Sequence, residues 1–203
     1  MSGIKFYVLD TETTGLKSTD YHNEITQLCA IRVDDKLQYD KVIRAHYPEH
    51  AQAMALQITG KTHADLRQGV ERMEAVESFE AYLNADGLKA NARCIIAHNA
   101  PFDRRFLQEL WSQCGRVFPA DLWIDTIPMI RAYGKRQGMV KVATNLEASC
   151  SLLGVGKKVA GAHNAISDTR NLYFLWNKLI QTEDYLDYVK RFPHGNDSDE
   201  SSD

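Results

Sequence analysis

Residues 4–12 read Ile4-Lys5-Phe6-Tyr7-Val8-Leu9-Asp10-Thr11-Glu12. Aromatic and branched residues dominate the first six positions, which predicts a strand. The strand runs into two carboxylates spaced two apart. Such side chains point to one face of a strand, so Asp10 and Glu12 converge at its C-terminal end. Taken alone, the pair also suits two solvated acids, or an Asp that caps a turn.

The neighbouring segments extend this strand into a sheet. Ile25, Gln27, Cys29, Ile31 and Val33 alternate over 24–33, Asp34-Asp35 forms a tight turn, and 37–46 gives a third strand, so the first three strands form an antiparallel meander. Residues 51–58 and 62–85 read as helical, with Val76, Phe79 and Leu83 at helical spacing. Cys94-Ile95-Ile96-Ala97 is a short interior strand. Asn99-Ala100-Pro101 opens a helix to about Gln113, Leu122-Trp123-Ile124 is a further strand, and Asp125 caps a helix containing Pro128. Thr144-Asn145-Leu146-Glu147 reads as a capping box for a helix that ends before Gly154, and a last helix spans about 165–181. Strands first, then alternating strand and helix, predict an α/β fold with a mixed five-stranded sheet: an antiparallel meander, then αβαβα, flanked by helices.

Two further carboxylates lie on helical stripes meant for the core. Asp103 precedes Phe106, Leu107, Leu110 and Trp111 by three, four, seven and eight residues. Asp168 precedes Leu172, Leu175 and Leu179 by four, seven and eleven. A helix N-terminus offsets part of the cost of burying such a charge, and charge compensation there is the alternative to a site. Four acids aimed inward from three elements need cations, and those stripes hold no Lys or Arg. A hard divalent metal bound by oxygen is the natural partner, and two such ions would clamp an in-line displacement at phosphorus. His163, five residues before Asp168, would share that site only from a loop ahead of the helix, where it would accept a proton from water; otherwise it is an ordinary surface histidine.

At 203 residues the chain suits one domain and can bury a sizeable core without disulfides or a structural metal. Cys29, Cys94, Cys114 and Cys150 show no zinc-like spacing and are expected as reduced thiols. No apolar run approaches the roughly 20 residues of a membrane helix. The N-terminus has no basic region ahead of an apolar stretch, so no secretory signal is expected. The net charge of −3 is unevenly spread: residues 183–203 hold seven acids and two bases, whereas 131–170 hold seven bases and two acids. The basic segment suits a phosphate-facing surface. Gly154-Val155-Gly156-Lys157-Lys158 is no phosphate loop, because Ser151 and Lys158 break that pattern.

Three blocks, Val8 to Leu16, Ala97 to Asp103 and His163 to Asp168, resemble the signature blocks of the DEDDh 3′→5′ exonucleases. This superfamily includes the proofreading epsilon subunit of bacterial DNA polymerase III, exodeoxyribonuclease X and ribonuclease T. The resemblance covers about residues 4–180, with Ile58-Thr59-Gly60 and Ile124-Asp125-Thr126 as further similar segments; Ala97 to Arg105 looks closest to exodeoxyribonuclease X-like members. It implies an RNase H-like fold and release of nucleoside 5′-monophosphates from a 3′ end; the substrate expected is DNA, with single-stranded or mismatched ends. It also implies two Mg²⁺ or Mn²⁺ ions held by Asp10, Glu12, Asp103 and Asp168, with His163 as general base. Thr13, Gly15 and Leu16 would lie beside the terminal nucleotide, joined by Ile58, with small residues letting the backbone approach. Asn99 either caps its helix or touches substrate. Residues 1–182 would be the exonuclease domain, and 183–203 the end of a C-terminal helix and a disordered acidic tail. A cytoplasmic location, no membrane partner, and a DNA polymerase or other replication protein as partner are expected; the oligomeric state is not legible. The alternatives are a 3′→5′ exoribonuclease of the ribonuclease T or oligoribonuclease kind, or a non-catalytic polymerase accessory module.

Overall fold

The computed structural model describes residues 3–155 and 164–192. Its strands are β1 (Lys5–Thr13), β2 (Ile25–Arg32), β3 (Gln38–Val42), β4 (Arg93–Ala97), β5 (Leu122–Asp125) and β6 (Lys190–Arg191). Its helices are α1 (Ala53–Thr59), α2 (His63–Leu66), α3 (Arg72–Asn84), α4 (Ala100–Gln113), α5 (Thr126–Arg136), α6 (Leu146–Leu152) and α7 (Ala165–Leu179). The sheet runs β3-β2-β1-β4-β5-β6. The β1–β2, β2–β3 and β5–β6 pairs are antiparallel, and β1–β4 and β4–β5 are parallel.

Alternation in β1 divides the core in two. Tyr7 and Leu9 pack with Phe79 and Leu83 of α3 and Phe106, Leu107 and Trp111 of α4. Val8 faces the opposite way, with Ile96 and Ile124, against Met129 and Ile130 of α5 and Leu172, Leu175 and Trp176 of α7. Each such side chain contributes about 1.5–3 kcal/mol by leaving water. Arg93, at the start of β4, is buried and forms an ion pair with Asp86 at 2.7 Å; it also donates to Asn84 Oδ1 and to the carbonyls of Leu88 and Pro119.

Three expectations change. The sheet has six strands, because Lys190–Arg191 pairs with Leu122–Trp123 beyond the expected edge; two residues carry no periodic pattern. The helix expected over 62–85 is broken into α2 and α3. At Gly69 the backbone has φ +105°, and a Cβ would meet the Val42 carbonyl oxygen at 2.5 Å. Val70 then bridges to Ile43, so this segment runs along the edge of β3. Finally, α6 is capped by Asn145, whose side chain accepts from the Ala148 N–H, so Thr144 is not the capping residue.

Candidate active site

The site forms where β1 outruns its parallel neighbour. β1 pairs with β4 only as far as Val8 opposite Ile96, but with β2 as far as Thr13 opposite Ile25. Residues 10–13 therefore have a strand on one side only. The side chain of Asp103 takes the place on the other. It lies in the first turn of α4, is buried, and accepts at Oδ1 from the Thr11 N–H (3.1 Å) and the Thr11 hydroxyl (2.8 Å). Thr11 faces α4, whereas Asp10 and Glu12 alternate onto the α7 face.

Asp168 meets them there from the first turn of α7. Asn164 sets that turn: its Oδ1 accepts from the Ile166 N–H at 3.0 Å, and its carbonyl accepts from the Asp168 N–H. One carboxylate oxygen from each of Asp10, Glu12 and Asp168 lies within 4.8 Å of the other two. Burial holds the Asp10 carboxyl well above the usual carboxylate range, and the charges of Asp103, Glu12 and Asp168 push it further. Burial also pushes Asp103 up to about 7, against the two Thr11 hydrogen bonds that favour its charged form. Among the described residues this is an all-oxygen donor set, with Asp10 and Asp103 raised chiefly by burial, and it fits a hard divalent cation.

A cation approaches from an element the helical stripes did not reveal. Lys61 follows α1 and donates from Nζ to Thr26 Oγ1 at 3.3 Å, and Thr26 in turn donates to the Glu12 carbonyl. Burial lowers the Lys61 pKa, while Glu12 opposes that shift.

The other expected residues divide clearly. His163 lies outside the described residues. Leu16 and Ile58 are 61% and 40% exposed. The Thr13 hydroxyl donates to the Gly15 carbonyl at 2.7 Å. Gly15 is small for an internal reason: a Cβ there would meet Asn23 Oδ1 at 2.1 Å. Asn99 makes no side-chain cap and adopts φ +76°, giving its N–H to Asp125 Oδ1 at 3.0 Å. Asp125 caps α5 as expected, accepting also from the Ile127 N–H.

Sequence reasoning passed over three supporting residues. Thr11 was visible only as the spacer between two acids. The His98 ring bonds Thr126 Oγ1 (2.8 Å) and the Thr144 carbonyl (2.7 Å), which ties the end of β4 to the approach to α6, and burial lowers its pKa. Glu24 is buried and accepts from the His46 and Tyr47 N–H groups at 3.0 and 2.8 Å while pairing with Arg72. The alternation of 24–33 placed no role on it.

Among the described residues, no helix is long and apolar enough to cross a membrane. The model of the exonuclease family, RNase_T, matches residues 7–175. Among curated relatives, DNA polymerase III PolC-type of Staphylococcus haemolyticus is 27% identical over 177 residues, covering 87% of this chain and 11% of the relative. DNA polymerase III subunit epsilon of Haemophilus influenzae is 29% identical over 180 residues, covering 81% and 63%. This chain thus spans about a tenth of the PolC-type relative and under two thirds of the epsilon subunit. Among solved structures, the nuclease domain of 3′hExo, a DEDDh family member bound to rAMP, shares the fold. Its TM-score is 0.68 at 14% identity, over 89% of this chain and 93% of that one. With a family match across most of its length and four acidic side chains placed on its β1, α4 and α7 elements, this chain belongs to the exonuclease family.

Proposed function

We propose that this protein hydrolyses DNA from its 3′ ends, single-stranded or mismatched, and releases nucleoside 5′-monophosphates. The observation that carries this reading is the gathering of Asp10, Glu12 and Asp168 oxygens within 4.8 Å, with Asp103 held beside them by Thr11. Asp10, Glu12, Asp103 and Asp168 would hold two Mg²⁺ or Mn²⁺ ions. When bound, these supply the positive charge that phosphodiester hydrolysis needs at its attacking and leaving oxygens. The rest falls to the chain itself. His163 takes the proton of the attacking water. Leu16 and Ile58 pack on the last base, with Thr13 and Gly15 alongside, and the Asn99 amide, which caps nothing, is offered to the substrate. Thr11 fixes the Asp103 carboxylate in orientation.

The epsilon and PolC-type relatives support DNA as the substrate and a polymerase or other replication protein as partner. The 3′hExo neighbour, bound to rAMP, favours RNA as the second reading. Incubating the protein with 5′-labelled single-stranded DNA and the same-sequence RNA, in Mg²⁺, Mn²⁺ or EDTA, tests both. The expected result is a metal-dependent ladder that shortens from the 3′ end, faster on DNA and lost in His163→Ala. Faster RNA loss would select the second reading; turnover in EDTA would sink the metal-dependent mechanism.

A further inference from the structure

Beside the Thr13–Leu16 segment lies a group of rings that the site described above does not use. Tyr21 is 60% exposed and Tyr47 38% exposed, and between and beside them sit His22 and His50. The Tyr21 and His22 rings are 3.8 Å apart, and His22 and His50 stack at 4.0 Å with 10° between their planes. Tyr47 stands edge-on to Tyr21 (5.6 Å, 88°) and to His22 (5.1 Å, 87°). Four rings thus form one step, exposed at Tyr21, Tyr47 and His50 with His22 half-buried between them, built from two separate loops.

Those loops are tied to each other and to the end of β1. The buried Glu24 accepts from the backbone of His46 and Tyr47, which fixes the second loop to the end of the first. Thr14 is the joint. Its N–H donates to the Glu24 carbonyl at 2.9 Å, its hydroxyl donates to the His22 carbonyl, and its own carbonyl accepts from the Gln52 N–H at 2.8 Å. Within the first loop, His22 donates backbone and ring N–H to Asp20 Oδ1, and Asn23 Nδ2 donates to the Lys17 carbonyl. The rings are therefore held on hydrogen-bonded backbone while Tyr21, Tyr47 and His50 face water. Exposed aromatic surface on a fixed frame is what a stacking ligand needs: it adds contact area and orders little on binding.

We propose that Tyr21, His22, Tyr47 and His50 form a stacking platform for the unpaired bases that precede the 3′-terminal nucleotide of a single strand. The inference deepens the exonuclease reading and rests on it. Continuity decides the occupant. The platform shares Thr14 with the segment beside which the last nucleotide would lie, and that segment ends on the exposed Leu16. Every base presents a π-face, so such a platform reads strandedness and not sequence. Bases inside a duplex are already stacked and have no face to offer. The substrate class is accordingly a single-stranded end several nucleotides long, in preference to a dinucleotide or a blunt duplex.

The test compares dT2 with dT12 in steady-state hydrolysis, using wild type, Tyr21→Ala, Tyr47→Ala, the double variant, and Val117→Ala as an exposed control away from the platform. Removing a stacking ring should raise KM for dT12 by about tenfold. In the double variant the loss on dT12 should exceed the loss on dT2 by at least tenfold, and Tyr47→Phe should restore most of it. Separately, dT12 carrying 5-iodouracil at the third or fourth position from the 3′ end should photo-crosslink to Tyr21, His22, Tyr47 or His50, a readout that needs no turnover. Equal losses on dT2 and dT12, or crosslinks elsewhere, overturn the platform. So does a double variant that keeps its dT12 kinetics and loses only binding to a polymerase, which would make these rings a protein interface. Crosslinks at the platform with no hydrolysis of any oligomer would instead retain it and overturn the exonuclease reading.

Discussion

Replacing Asp103 with Asn should stabilise the metal-free protein at alkaline pH while abolishing its hydrolysis. The substitution is nearly isosteric, and the Asn Oδ1 can accept both Thr11 hydrogen bonds that now end on Asp103 Oδ1. What disappears is a buried charge. Burial pushes the Asp103 carboxyl from 3.8 up to about 7. The folded, metal-free protein therefore holds this proton to higher pH than the unfolded chain does. Stability from this group is full below the ordinary value of 3.8 and falls as pH rises through about 7. At about 1.4 kcal/mol per tenfold change in proton affinity, the ceiling is about 4 kcal/mol. Only the stretch from pH 5 to about 7 of that window lies between pH 5 and pH 8, so about 2–3 kcal/mol is expected over that interval. For a chain of this size that is roughly 5–10 °C in Tm. Thermal unfolding of wild type and Asp103→Asn in EDTA at both pH values measures it: the variant's advantage should grow toward pH 8. Saturating Mg²⁺ should then raise wild type more than the variant. An advantage that is constant with pH, or a variant less stable than wild type at pH 8 in EDTA, would refute the reasoning.

Other expectations follow from particular contacts. Asp86→Asn should cost about 3–5 kcal/mol in urea unfolding, because it leaves the buried Arg93 guanidinium without its ion pair. Burial raises the Asp86 carboxyl, but Arg93, the Leu88 N–H and the Tyr7 hydroxyl more than reverse this and hold it below the usual range. That stabilisation should be present above about 3.8 and fade on acidification below it, a trend the variant should lack. Glu24→Gln should cost about 1–3 kcal/mol through the lost charge-assisted bonds to His46, Tyr47 and Arg72; limited proteolysis should then cut first near residues 44–52. Leu16→Ala should raise KM with little change in kcat, and unchanged kinetics would remove Leu16 from the substrate contact.

The parts of the site legible in the sequence are those where a charge violates a periodic pattern. Asp103 and Asp168 stand on stripes that otherwise hold Leu, Phe and Trp, and the fold places both where those stripes predict. Asp10 and Glu12 were legible by alternation, although β1 continues through them to Thr13. Glu24, Thr11 and Lys61 were not, because each acts through partners far away in sequence that no local pattern announces. Gly15 shows the complementary difficulty. Its smallness was read as room for a nucleotide, but the space its Cβ would fill belongs to Asn23. The break at Gly69 and the pairing of β6 depend on the path of an edge strand, a tertiary fact.

The missing strand opposite residues 10–13 of β1 has a spectroscopic consequence. The Thr11 amide hydrogen, which a sheet would normally bury in a ladder, is bonded to a carboxylate of the site instead. It senses the charge on Asp103 directly, through one hydrogen bond about 3.1 Å long. In a ¹⁵N–¹H correlation spectrum this single backbone resonance should shift as Asp103 loses its proton and again when a cation binds. The fold thus carries an intrinsic probe of the state of its own carboxylates, placed on the main chain, where it can be observed without labelling a side chain or altering a residue.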